Sequence, residues 1–119
     1  MWYKNLKNKF HAKKTEYKGI KYASGREAKK AWDLDMLVRG EVILRWERQA
    51  KEELFGINKS KICSYYVDFK IFHVDGTIEY LEIKSKPTAT PEWKLKWKLL
   101  EDKYKQEVLD KKIILTVEY

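Results

Sequence analysis

Two short stretches of this chain carry residue types that could do chemistry together. Tyr66-Val67-Asp68-Phe69 is followed, fourteen positions beyond Asp68, by Glu82-Ile83-Lys84. An acid in one predicted strand and an acid-x-lysine in the next can hold a divalent cation beside a fixed positive charge. That is equipment for hydrolysing a phosphodiester. Glu82 and Lys84 are two apart in an extended run, so their side chains leave the same face.

Whether Asp68 joins them depends on the turn between the strands. A two-residue Asp75-Gly76 loop would pair Val74 with Thr77 and put Asp68 opposite Ile83, on the wrong face. A three-residue Val74-Asp75-Gly76 loop, with Gly76 in the left-handed region, sets His73 against Thr77, Asp68 against Glu82 and Tyr66 against Lys84. The two carboxylates would then have β-carbons roughly 5 Å apart, and like charges so opposed are destabilising unless a cation compensates. The ordinary alternative is a solvated strand face with a cross-strand ion pair. Against it, the flanking Val67, Phe69, Ile71, Leu81 and Ile83 are strongly apolar, as expected of a central hairpin.

A fourth acid, Glu27, heads an apolar helical stripe of Ala31, Leu34 and Val38. It could point toward the sheet and a metal. A glutamate three residues after Ser24 is also the signature of a capping box, and the helix pattern alone favours the cap.

The elements that must position these residues are legible from periodicity and punctuation. Tyr17–Tyr22 reads as a small hairpin turning at Gly19. Ser24 opens a helix to about Arg39, stopped by Gly40. Val42–Gln49 reads as a strand, and charged residues 50–60, with Gly56 and Asn58, as a loop. Ile62–His73 and Thr77–Lys84 read as two long strands. Thr90 caps a second helix with Pro91 at its first position, and Trp93, Trp97, Leu100 and Tyr104 form its apolar stripe. Lys112–Glu118 reads as a closing strand. The order is helix, three strands, helix, strand: an α/β chain with a mixed sheet flanked by helices. Residues 1–16 read as a basic arm, with Lys4, Lys7, Lys9, Lys13 and Lys14, and residues 17–119 as a single domain.

Twenty-six Lys and Arg against eighteen Asp and Glu give a net charge of +8, which favours a polyanionic partner. No apolar run approaches the ~18 residues of a membrane span, and no signal peptide is evident. One cysteine, Cys63, excludes an internal disulfide; it falls in a predicted strand, where packing is its expected role. The expected location is cytoplasmic. Lys94, Lys96 and Lys98 begin the second helix, whose N-terminus could take a phosphate, though some of these lysines should simply face solvent. Lys13 and Lys14 of the basic arm could follow a nucleic-acid backbone.

The set Glu27, Asp68, Glu82-x-Lys84 in an αβββαβ order resembles the PD-(D/E)XK nuclease superfamily. The stretch Gly19-Ile20-Lys21-Tyr22-Ala23-Ser24-Gly25-Arg26-Glu27-Ala28 makes it more specific. With Tyr66-Val67-Asp68-Phe69, Glu82-Ile83-Lys84 and the lysine-rich helix after Thr90, it resembles a family of small phage-encoded nucleases long filed as a domain of unknown function. The resemblance covers roughly residues 17–117 and departs at Val67, where proline often precedes the acid.

What it implies is a restriction-endonuclease-like αβββαβ core and a metal-dependent DNA endonuclease, structure- or sequence-directed: junction-resolving, homing-type or nicking. Asp68 and Glu82 would hold Mg²⁺, which Mn²⁺ would replace, with the Ile83 carbonyl as a further ligand and Glu27 binding directly or through water. Lys84 would position or activate the attacking water. A homodimer is the expected assembly for so small a chain on duplex DNA. The alternative is a non-catalytic DNA-binding or assembly protein that keeps the nuclease fold.

Overall fold

A computed structural model describes residues 15–119, so Lys13, Lys14 and most of the basic arm lie outside the described residues. The chain divides into two units, the first ending at Val42 and the second running from Ile43 to Tyr119.

In the first unit, strands β1 (Thr15–Tyr17) and β2 (Ile20–Tyr22) pair antiparallel, with Tyr17 opposite Ile20. Lys18 and Gly19 both take positive φ (51° and 79°), which a tight two-residue hairpin turn requires. Thr15 and Glu16 therefore belong to the hairpin and not to an arm. Helix α1 (Gly25–Arg39) follows, its start fixed by Ser24, whose Oγ accepts the Glu27 N–H at 3.2 Å. It buries Ala28, Ala31 and Leu34. Tyr17 is tied to the same helix by its hydroxyl, which donates to Asp35 at 2.6 Å.

The second unit is a four-stranded sheet in the order β3 (Ile43–Phe55), β4 (Lys61–His73), β5 (Ile78–Ile83), β6 (Ile113–Glu118). The first three run antiparallel and β6 lies parallel to β5, the crossover being made by α2 (Pro91–Lys103) and the short α3 (Lys105–Leu109). The mixed sheet with helices agrees with the expected class of fold.

One element departs from expectation. The strand predicted to end at Gln49 continues to Phe55, through residues expected to form a loop. Its second half does alternate: Ala50, Glu52 and Leu54 are buried. Glu52 disguises the pattern because it is an inward-facing acid. Tyr80 Oη donates to it at 2.9 Å, Tyr104 Oη at 2.5 Å and Lys103 Nζ at 3.0 Å, so a buried carboxylate is fully partnered.

The core of this unit gathers Leu54, Tyr65, Val67, Tyr80, Trp93, Trp97, Leu100 and Ile113, with Cys63 and Tyr104 packed against it. The stripe of α2 is thus core, and Cys63 packs as expected. No described helix is long and apolar enough to cross a membrane.

Candidate functional site

The hairpin that carries the acids turns as a three-residue loop. His73 N–H donates to Thr77 O at 2.9 Å, Gly76 N–H donates back to His73 O at 3.1 Å, and Gly76 has φ +93°. Asp75 Oδ1 accepts the Thr77 N–H at 2.9 Å and fastens the corner. The resulting register pairs Phe72 with Ile78 through to Phe69 with Leu81. Its continuation sets Asp68 opposite Glu82. Ladder pairing stops at Phe69–Leu81, and beyond it the Asp68 side chain takes over: Oδ2 accepts the Ile83 N–H at 2.9 Å.

Asp68 also sits where the sheet turns over. Tyr65 lies opposite Glu52, the acid that Tyr80 reaches, so Tyr65 and Tyr80 share a face. Yet Lys70 is directly opposite Tyr80, its Nζ 5.5 Å from that ring. In an unbroken strand Tyr65 and Lys70 would face opposite ways. The alternation therefore inverts between them. On the neighbouring strand the matching position is Gln49, at φ 52°, between the pairs Arg48–Phe69 and Ala50–Val67. Gln49 Nε2 lies 3.4 Å from Asp68 Oδ1. A paired irregularity in two strands is a common device for re-aiming a side chain.

Glu82 is 1% exposed. Tyr65 Oη donates to its Oε1, and Trp93 Nε1 donates to that Tyr65 oxygen at 2.8 Å. Lys84 Nζ is 3.8 Å from Glu82 Oε2 and 4.9 Å from the centroid of the Trp93 ring. Burial, then the charge of Asp68, push the Glu82 carboxyl up to about 8, against the pull of Tyr65 and Lys84. Burial and the Glu82 carboxylate raise the Tyr65 hydroxyl far above its ordinary value, so it stays a donor.

Lys84 is held at both ends. Its backbone N–H donates to Glu118 O at 2.9 Å, at the end of β6. Its side chain lines an open cleft of about 380 Å³ with Tyr66, Thr90, Trp93 and Lys96. The mouth of α2 is formed locally: Thr90 Oγ1 accepts the Trp93 N–H at 3.1 Å, with Pro91 at the first helical position. Of the three lysines nominated on α2, Lys96 lines the cleft and pairs with Glu92 at 3.2 Å, whereas Lys94 and Lys98 are exposed outside its walls.

The second unit thus brings together Asp68, Glu82, Ile83 and Lys84. Glu27 belongs to the first unit, half-buried in the first turn of α1, where its backbone makes the Ser24 cap. His73, expected at the hairpin end, is there and meets Glu79 at 2.8 Å. Among the described residues no three His, Cys, Asp or Glu side chains form a ready-made metal cage. Two oxygen-donor carboxylates, one of them raised by burial and then by the charge of the other, nevertheless fit a hard cation that keeps most of its own waters. Tyr65, Trp93 and Gln49 were not nominated from sequence. A buried indole needs a partner for its N–H, and this was the one available hint for Trp93.

No curated protein and no solved structure gives a significant match to this chain. A family profile described as "Protein of unknown function (DUF1064)" matches residues 7–119. That match spans nearly the whole sequence, and the chain belongs to the DUF1064 family.

Proposed function

We propose that the protein is a Mg²⁺-dependent endonuclease that hydrolyses phosphodiester bonds in DNA. The observation that carries this reading is the meeting of Asp68, Glu82 and Lys84 at the open end of one hairpin, with Lys84 3.8 Å from a buried Glu82 and exposed to a cleft. Asp68 and Glu82, with the Ile83 carbonyl, would hold the ion. When bound, it supplies a water of lowered pKa and neutralises charge on the phosphate oxygens.

The remaining work falls to the chain. Lys84 offers a fixed cation where the transition state gains negative charge. The N-terminus of α2 and Lys84 offer the cleft a positive end for a backbone phosphate, with Lys96 joining them when it leaves Glu92 on the same wall. Contacts of this kind, with a net charge of +8, give affinity without reading sequence. The reading extends to a phage-encoded protein that works as a homodimer in the host cytoplasm, and sedimentation in solution checks the assembly.

Purified protein incubated with Mg²⁺ or Mn²⁺ and plasmid, linear and branched DNA tests the activity, run beside Asp68→Asn and Lys84→Ala. Cleavage by wild type that both variants lose supports the reading, and the best-cut substrate distinguishes junction resolution, homing-type cutting and nicking. Cleavage that survives both substitutions would sink it.

One observation favours a second reading. Glu82 is sealed from solvent and bonded to Tyr65, as a purely structural acid would be. A non-catalytic DNA-binding module would bind the same substrates and cut none in any metal.

A further inference from the structure

Glu82 in β5 and Lys84, one residue past its end, share one support. The Trp93 indole N–H donates to Tyr65 Oη at 2.8 Å, and that hydroxyl in turn donates to Glu82 Oε1. The face of the same indole lies under Lys84, whose Nζ is 4.9 Å from the ring centroid. From this geometry we infer that Trp93 and Tyr65 are positioning residues: Trp93 sets Glu82 through Tyr65 and sets Lys84 directly. The inference rests on the nuclease reading and adds the device that gives its site a fixed geometry.

The physical case starts from what the groups would do unaided. A glutamate has three rotatable side-chain torsions and a lysine four, so neither holds one geometry on a strand by itself. Glu82 is fixed because its Oε1 is spent on Tyr65, which leaves Oε2 turned toward Lys84. Tyr65 is fixed because Trp93 occupies its oxygen as donor, obliging the hydroxyl proton to point at Glu82. Lys84 is fixed because an aromatic face attracts an ammonium and excludes water from one side.

Trp93 can serve both because it is rigid itself. It is 8% exposed, in the first turn of α2, with its backbone N–H capped by Thr90 and its ring stacked on Trp97 at 5.8 Å. The site is therefore assembled by the docking of α2 on the sheet. Partners that orient a ligand carboxylate from behind typically change metal affinity 10–100-fold when removed.

The test is Mn²⁺ binding to the whole protein without DNA, followed by the spectrum of the free ion, with cleavage kinetics measured in parallel. Tyr65→Phe removes one oxygen and keeps the ring. The expected result is a 10-fold or greater loss of Mn²⁺ affinity, a matching fall in kcat and an unchanged KM for DNA. Trp93→Phe should weaken Mn²⁺ less. In the double variant it should add nothing to Tyr65→Phe, because the indole N–H acts on Glu82 only through that hydroxyl. Trp93→Leu, which also removes the aromatic face, should lower kcat beyond Trp93→Phe with no further loss of Mn²⁺ affinity. Thermal unfolding is recorded for each variant, and Tyr65→Phe carries the test should either Trp93 variant fail to fold.

Wild-type Mn²⁺ affinity in a folded Tyr65→Phe, or additive losses in the double variant, would overturn the positioning role and leave the nuclease reading standing. Wild type that neither binds Mn²⁺ nor cleaves DNA would overturn both.

Discussion

Asp68 accepts the backbone N–H of Ile83 at 2.9 Å, one residue beyond the last ladder pair of the central hairpin. The bond lets the strands part without leaving that N–H orphaned, and it brings the acid alongside Glu82. Asp68 is thus both a proposed metal-holding group and a structural acceptor, and two substitutions separate the roles. Asp68→Asn keeps an amide oxygen for Ile83, so the melting temperature should stay near wild type while cleavage is lost. Asp68→Ala should lose cleavage and also about 1–3 kcal/mol of stability, the cost of an unpaired buried donor. Equal stability in the two variants would show that the Ile83 bond contributes little.

The raised carboxyl of Glu82 gives a pH dependence of defined sign. A group whose folded pKa is about 8, against an ordinary 4.5, is protonated in the folded protein across the interval where the unfolded chain has lost that proton. Its contribution to metal-free stability is therefore fullest below pH 4.5 and is lost as pH rises toward 8. A cation must displace the same proton, so apparent Mn²⁺ affinity should rise roughly tenfold per pH unit until about pH 8 and then level off. Glu82→Gln should abolish that slope. Calorimetric titration at several pH values measures it, and a flat profile in wild type would contradict the assignment.

The corner of the hairpin should govern stability more than chemistry. Gly76 has φ +93° with open space where a β-carbon would stand, so strain there is conformational and not steric crowding. Gly76→Val should cost about 1–3 kcal/mol. Cleavage measured well below the melting temperature should be retained, since the four ladder pairs from Phe72–Ile78 to Phe69–Leu81 separate the turn from Asp68. Loss of cleavage in a folded Gly76→Val would mean that the register is less firmly held than the ladder implies.

A second buried acid provides a control from the same core. Glu52 takes Tyr80, Tyr104 and Lys103 as donors and is not among the residues lining the Lys84 cleft. Tyr80→Phe should lower stability by about 1.5–3 kcal/mol, as expected for a hydrogen bond to a charged group. Mn²⁺ affinity should not change. A drop in metal affinity in this variant would show that the Glu52 network communicates with Glu82.

The sequence alone determined the features set by neighbours along the chain. Ser24 and Thr90 cap the two long helices as their spacing implies, whereas two turns stood open at Val74-Asp75-Gly76, and the structure shows the three-residue one that sets Asp68 against Glu82. These are decided within about four residues by dihedral limits and local hydrogen bonds. The tertiary structure decided everything that depends on distant partners. Residues 50–55 read as a loop because the run to residue 60 is charged and holds Gly56 and Asn58, and only Tyr80, Lys103 and Tyr104, 28, 51 and 52 residues away, make an inward Glu52 tolerable. The inversion of faces at Asp68 needs Gln49 on the adjacent strand. Trp93 reads as plain core until Tyr65, 28 residues earlier, is found under its N–H. A one-dimensional pattern records which faces are apolar, but which polar group a buried side chain meets is fixed only when the strands and α2 pack.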